Sequence, residues 1–252
     1  MTAEEDALFG LPYAPPDATV PYGPHPSQVV DLHLPAGPPA GIRVTLLHGG
    51  FWREAYDRRH LAPLAAALAA EGVEVALAEY RRVGTGGGGG WPQTYEDAVR
   101  ATAVRAAGVR TTATRSSSSP TRHVLVGHSA GGHLALCAAS GTAGVDAVIA
   151  AAPVADLARA RELGLSGGAV EEFLGGGDHP EADPALRGPA RVPVTILHGT
   201  ADPDVPLELS RSYAAAAGSK VTLRVLPDTG HYAAVTPGTA AYGALLTALG
   251  LC

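Results

Sequence analysis

The sequence predicts an α/β fold, a mostly parallel central sheet with helices packed on both faces. Two observations lead there. Short aliphatic runs alternate along the chain with alanine-rich segments of helical spacing, the order that builds parallel sheets through crossover connections. The runs at 42–47 and 73–78 also read as strands covered on both faces. At 252 residues and 46% hydrophobic, the chain suits a single domain over residues 1–252 with one sizeable core. Only 5% of residues are aromatic, so that core has to be largely aliphatic.

Residues 1–26 are rich in Pro and Gly and are expected to form an irregular arm. Residues 29–34 alternate apolar with polar and read as a strand, ended by the turn-forming stretch 35–41. Ile42–Leu47 is expected to be a short apolar strand buried on both faces. Residues 60–70 have helical spacing, with Pro63 tolerated near the helix start. A strand at 73–78, a helix at 94–107, a strand at 123–126 and a helix at Ala130–Ala139 follow. Further strands are expected at 145–150, 194–197 and 221–225, with the last helices at 207–217 and Ala240–Leu249. Two segments are compositionally odd. GTGGGGG at 84–90 lacks the Lys-Ser/Thr of a phosphate-binding loop and opens no helix, so it reads as a flexible loop. TTATRSSSS at 111–119 reads as a surface loop ahead of a strand.

A net charge of −6 and a sequence pI of about 5.9 exclude the basic footprint that nucleic acid or an anionic membrane demands. The two cysteines, Cys137 and Cys252, are too few for a disulfide framework and favour a reducing compartment. The start of the chain is acidic (Glu4, Glu5, Asp6), whereas a signal peptide begins basic and then turns apolar. No apolar run approaches the roughly 18 residues that a membrane span needs. The expectation is a soluble, cytoplasmic protein acting on a small molecule, with no nucleic-acid or membrane partner; a homodimer stays open.

Gly127-His128-Ser129-Ala130-Gly131 is a G-x-S-x-G pattern, and composition alone would give about 0.2 such matches in this chain. Its context is more specific. It lies directly after one expected strand and directly before an expected helix, where a strained turn lifts a serine above the sheet edge. Glycine is needed at both flanks because a side chain there collides as the turn tightens. The helix N-terminus also places the Ala130 amide and a partial positive charge beside a developing oxyanion.

A serine hydroxyl needs a base, and the base needs an orienting acid. In this type of site the chain order is Ser, then Asp or Glu, then His. The histidines after Ser129 are His133, His179, His198 and His231, of which His133 lies one turn along the same helix and is expected to point away from Ser129. His198 ends a buried strand and precedes the candidate acids. His231, in the loop Pro227-Asp228-Thr229-Gly230-His231-Tyr232 after the last strand, is placed to hang over the sheet edge. The acid is Asp202 or Asp204, both near the carboxyl end of the strand at 194–197. His48-Gly49-Gly50-Phe51-Trp52 follows the strand Ile42–Leu47, and its Gly-Gly turn lets backbone amides point into the site as a second oxyanion donor. Gly49, Gly50 and Phe51 are the candidate donors beside Ala130, and His48 reads as a structural hydrogen-bonding residue. The histidines show no metal-ligand spacing, so no metal or cofactor is implied.

The set LLHGGFW, VGHSAGGHLAL, LHGTADPDVP and TGHY resembles the esterase/lipase branch of the α/β-hydrolases, from about residue 20 to the end. Within that branch, HGGFW is similar to the HGGxW motif of kynurenine formamidases (arylformamidases). Tyr80-Arg81-Arg82, Gly90-Trp91-Pro92 and an N-terminal strand pair at 22–28 and 31–35 add to the likeness. The resemblance implies an α/β-hydrolase fold without a large lid. It also implies a triad of Ser129, Asp202 and His231, with Asp202 selected by the D-x-x-V-P spacing. Phe51 stands where hormone-sensitive-lipase relatives have a third glycine. The implied activity is acyl transfer through Ser129, in first place on N-formylkynurenine or a related formanilide. A general carboxylesterase is the alternative, and a catalytically silent binding module with the same fold is a third reading. Trp52, Tyr80 and Trp91 are the candidates to line an aromatic pocket, with ordinary packing as the competing reading for each.

Overall fold

The computed structural model describes residues 2–105, 121–142 and 144–251. Its strands are β1 (Ala18–Pro21), β2 (Val29–His33), β3 (Ile42–Leu47), β4 (Glu74–Ala78), β5 (Arg122–His128), β6 (Ala147–Ala151), β7 (Val194–Gly199) and β8 (Val221–Leu226). They join one sheet in the order β1-β2-β4-β3-β5-β6-β7-β8. The β2 strand runs antiparallel to both β1 and β4, and every other pairing is parallel. This is the α/β-hydrolase arrangement that the sequence predicts.

The helices are α1 (Ala3–Phe9), α2 (Ala62–Ala70), α3 (Gln93–Ala101), α4 (Ala130–Ala139), α5 (Leu157–Glu162), α6 (Ala169–Leu174), α7 (Leu207–Ala216) and α8 (Ala240–Leu249). Because side chains alternate along a strand, the central strands feed two separate cores. Val44, Leu46, Val124, Val126 and Ile149 face α1, α2 and α8. Leu47, Leu125, Val148, Ala150 and Ile196 face α3, α4 and α7. Every residue of β3 is buried, but Arg43 and Thr45 break the apolar run expected there; Arg43 donates to the carbonyls of Thr102 and Val104, and Thr45 Oγ1 pairs with His123 Nε2 on β5.

The expected irregular arm at 1–26 is corrected in two places. Helix α1 forms because Thr2 and Glu5 close a reciprocal capping box, and Leu8 is buried in the second core. Strand β1 forms as an edge strand, with Pro21 at its end where a missing N–H costs no ladder bond. An antiparallel strand pair is present as the resemblance implies, but its first member is Ala18–Pro21, and residues 22–28 form the turn. Strands β5 and β7 extend past their expected ends to His128 and Gly199. The helix expected at 94–107 closes at Ala101, and its last two positions lie outside the described residues, as does the loop at 111–119.

Residues 84–90 are packed rather than loose. The Gly89 amide donates to the carbonyl of Arg82 at 3.0 Å. A Cβ on Gly87 would stand 1.9 Å from that same oxygen, so the run of glycines lets the loop fold flat onto Arg81 and Arg82. Among the described residues, no helix is long and apolar enough to cross a membrane.

Candidate active site

The sheet reverses direction of growth between β3 and β5, and ligand crevices in open α/β sheets form at the carboxyl ends of such neighbours. Both motif loops leave from there. Ser129 caps α4 with φ 55° and ψ −118°, a backbone region that costs a non-glycine residue of the order of 1–3 kcal/mol. It is held by its neighbours: its N–H donates to Ala151 O at 2.9 Å, and its carbonyl accepts from His133 N at 3.0 Å. The flanking glycines are steric requirements. A Cβ at Gly127 would lie 2.2 Å from Gly131 O, and one at Gly131 would lie 2.3 Å from both Leu47 O and His48 O.

His231 and Asp202 meet. Nδ1 of His231 stands 2.8 Å from Oδ2 of Asp202, and both side chains are almost fully buried. The other carboxylate oxygen of Asp202 accepts from the amides of Asp204 at 2.9 Å and Val205 at 2.8 Å. His198 Nε2 lies 3.4 Å from Oδ2, while also donating to Val205 O at 2.8 Å. Burial pushes the Asp202 carboxyl upward, but the hydrogen bonds from His198, His231 and Val205 and the adjacent His231 outweigh it and hold the group well below the usual carboxylate range. Asp204 differs: burial raises its pKa. Its donor atom lies within 4.8 Å of those of Asp202 and His231, a grouping with metal-ligand character on paper, although Asp202 and His231 are already committed to each other.

His128 joins the two halves. Its Nε2 donates to the carbonyl of His231 at 3.0 Å, and the two rings lie 4.7 Å apart. The residue directly before Ser129 therefore anchors the His231 loop over the elbow. Burial, and then the neighbouring His231, keep the His128 imidazole neutral to well below its usual range. The sequence offered one signal for this residue, the first variable position of the elbow pentapeptide. No Ser129–His231 hydrogen bond is among those of the described residues. In unliganded sites such bonds are often long, and they close in the substrate complex.

The loop after β3 reaches the same point. A Cβ on Gly49 would lie 2.9 Å from the Ser129 Cβ, which puts this backbone directly against the nucleophile candidate. Gly50, Phe51 and Trp52 all have positive φ, at 105°, 48° and 59°, a region glycine adopts freely but one that strains Phe51 and Trp52. Beneath it, His48 Nε2 lies 2.9 Å from Glu79 Oε1 and Nδ1 lies 2.7 Å from Gly49 O. Tyr80 stacks on His48 at 4.3 Å, and its hydroxyl donates to His48 O at 2.6 Å. Burial raises the Glu79 carboxyl, yet His48, Arg82 and the Arg58 amide bring it down to about 2. Sequence reading missed Glu79 because nothing local ties an acid at the end of β4 to a histidine at the end of β3.

The three aromatic candidates separate. Trp52 and Tyr80 are both 0% exposed, so neither presents surface to an open pocket. Trp52 is covered by Phe173 of α6, stacked at 4.4 Å, and by the edge of His133 at 5.0 Å. Tyr80 is spent on His48. Trp91 is half-buried; it stacks on Tyr95 at 5.2 Å, and its Nε1 donates to Glu181 at 3.0 Å. His133 donates through Nε2 to Ala182 O at 2.8 Å and does not take part in the cluster around Ser129.

A strand-to-helix serine turn at a sheet reversal, with a histidine–aspartate pair delivered from the loops after β7 and β8, is the arrangement of the α/β-hydrolase class. The chain belongs to the prolyl oligopeptidase family, whose profile matches residues 60–244. No curated protein matches it in sequence. Among solved structures, esterase B of Lactobacillus rhamnosis superposes with a TM-score of 0.74 at 19% identity, covering 98% of this chain and 89% of that one. Esterase 2 of Thermogutta terrifontis, phosphonylated by sarin, gives 0.69 at 23% identity over 95% and 97%. A truncated carbohydrate esterase from gut microbiota gives 0.72 at 18% identity over 94% and 96%. At these identities the likeness is one of fold.

Proposed function

We propose that the protein is a serine carboxylesterase for small acyl groups, working through an acyl-enzyme on Ser129. The observation that carries the reading is the buried 2.8 Å pair of His231 and Asp202, tied by His128 to the strained Ser129 elbow. Ser129 Oγ attacks the ester carbonyl while His231 Nε2 takes its proton, and Asp202 holds the imidazole in the tautomer that can do so. The Ala130 amide and an amide of the Gly49–Phe51 loop receive the developing oxyanion. His231 then protonates the departing alcohol, and water, activated by the same imidazole, releases the acid.

A formamidase reading is favoured by one feature, the His48-Gly49-Gly50-Phe51-Trp52 loop with Phe51 in place of a third glycine. Two of the three aromatic residues expected to receive an aniline are buried, however, and the similar solved structures are named as esterases. The ester reading therefore stands first. Covalent labelling with a fluorophosphonate, mapped by mass spectrometry, should modify Ser129. Turnover of p-nitrophenyl acetate should exceed that of N-formylkynurenine in kcat/KM, and a proline-containing peptide amide tests the chemistry in the family's name. Ser129→Ala should abolish ester turnover with folding intact. Persistent turnover in that variant overturns the proposal, and a formamide kcat/KM above the ester value replaces it with the second reading.

A further inference from the structure

The loop that carries His231 is held from the far end of the sequence. Glu4, in the first turn of α1, accepts the Gly230 N–H on Oε1 at 2.8 Å. Its Oε2 accepts the N–H groups of Tyr232 at 3.0 Å and Ala233 at 3.2 Å. One carboxylate thus gathers amides from both sides of His231. Among the described residues no backbone carbonyl accepts from these amides: Tyr232 and Ala233 open the short 3₁₀ turn Ala233–Val235, and the first amides of a helical turn lack acceptors within it. Hydrogen bonds to an ionised acceptor are roughly twice as strong as neutral ones.

The fit leaves little slack. A Cβ on Gly230 would come within 2.7 Å of the Glu4 carboxylate, so a side chain there would push the carboxylate away from the loop amides. Helix α1 is itself fixed. Leu8 is buried in the same core as Ala234 and Val235, and the Phe9 ring lies 5.9 Å from that of Tyr232, edge to face.

We infer that Glu4 is a positioning residue for the reaction, bracketing the His231 loop so that the imidazole faces Asp202 on one side and Ser129 on the other. The inference rests on the proposed roles of Ser129 and His231. Glu4 touches neither the substrate position nor the imidazole; it acts on the backbone that carries the imidazole. A residue that only tied down the chain terminus would change stability and the fraction of active molecules, but not the rate of each active molecule.

The test is steady-state hydrolysis of p-nitrophenyl acetate by Glu4→Ala, Glu4→Gln and Glu4→Asp. Active sites are titrated with a fluorophosphonate, and thermal melts run alongside. Glu4→Ala should lower kcat per titrated site by about tenfold to a hundredfold, the cost of a misplacement of roughly 1 Å in a reacting group. KM should stay within about twofold, because no substrate contact is removed. Glu4→Gln should recover part of the loss, since one oxygen acceptor remains while its NH₂ faces a donor. Glu4→Asp, a methylene shorter, should behave like Glu4→Ala. Wild-type kcat per titrated site in both Glu4→Ala and Glu4→Gln overturns the inference, whatever happens to the melting temperature. If Glu4→Ala does not fold, Glu4→Gln alone decides. Turnover surviving in Ser129→Ala would instead strike the underlying reading. A dead Ser129→Ala beside wild-type-like Glu4 variants strikes only the role of Glu4.

Discussion

Replacing Asp202 by Asn separates orientation from fold at this site. The side chain keeps its shape, and its remaining oxygen can still accept from the amides of Asp204 and Val205, now at 2.9 and 2.8 Å. What changes lies 2.8 Å from His231 Nδ1, where an acceptor becomes an NH₂ donor. The imidazole then presents a lone pair at Nδ1 and carries its proton on Nε2, the nitrogen that must accept from Ser129. Such a tautomer switch costs kcat about 10⁴-fold, or roughly 5 kcal/mol of transition-state stabilisation. Loss of a buried, hydrogen-bonded carboxylate also removes stability that is present above the ordinary carboxylate pKa and lost only in strong acid, because the group is depressed in the fold. The assay is kcat of Asp202→Asn on p-nitrophenyl acetate at neutral pH, against Asp204→Asn as the neighbouring control. A wild-type-like Asp202→Asn, or a collapse of activity in Asp204→Asn instead, would refute the assignment of the orienting acid.

The elbow makes a steric prediction. Gly131→Ala forces a methyl to within 2.3 Å of two backbone oxygens and should cost about 3 kcal/mol or more, together with fluorophosphonate labelling. Gly243→Ala on α8, where a Cβ meets nothing within 4 Å, should instead gain about 0.5–1 kcal/mol; chemical melts of the two variants check the contrast. Acid should destabilise the fold early. Burial lowers His60 and His133 to about 4, so below the ordinary 6.5 the unfolded chain binds protons that the folded one refuses. Stability should be complete above 6.5 and fall as the pH drops toward 4, by on the order of 3 kcal/mol for each imidazole. Urea unfolding midpoints that stay flat from neutrality to about pH 5 would contradict that account.

Much of the fold could be read because burial on both faces writes itself into composition. Ala130–Ala139 and Ala240–Leu249 have the boundaries that their apolar runs and flanking turn residues suggest, and Ile42–Leu47 keeps its expected bounds although Arg43 and Thr45 interrupt its apolar residues. The N-terminal elements were obscured for opposite reasons. Helix α1 buries only Leu8, too little for a period to show, although Thr2 and Glu5 spell a capping box. Strand β1 is a four-residue edge that alternates half-buried with exposed and carries proline, a residue that ordinarily argues against a strand.

The site divides along the same physical line. The elbow was readable because its pattern belongs to the fold class: glycine at 127 answers a local clash with Gly131 and Gly132, and glycine at 131 answers the carbonyls of Leu47 and His48 at the end of the adjacent strand. Asp202 and His231 were readable through chain order and loop position, which the fold class dictates. Trp52 was not, because its burial depends on Phe173 in a short helix whose sequence carries no usable period. Glu79 and Glu4 lie further out of reach. Each holds a loop of the candidate site through contacts between segments that sequence proximity does not link, Glu79 with His48 and the Arg58 amide and Glu4 with both sides of His231. A motif records where the chemistry must occur; the residues that hold it in register are chosen by the packing, and here that packing brings the first turn of the chain to the loop that follows its last strand.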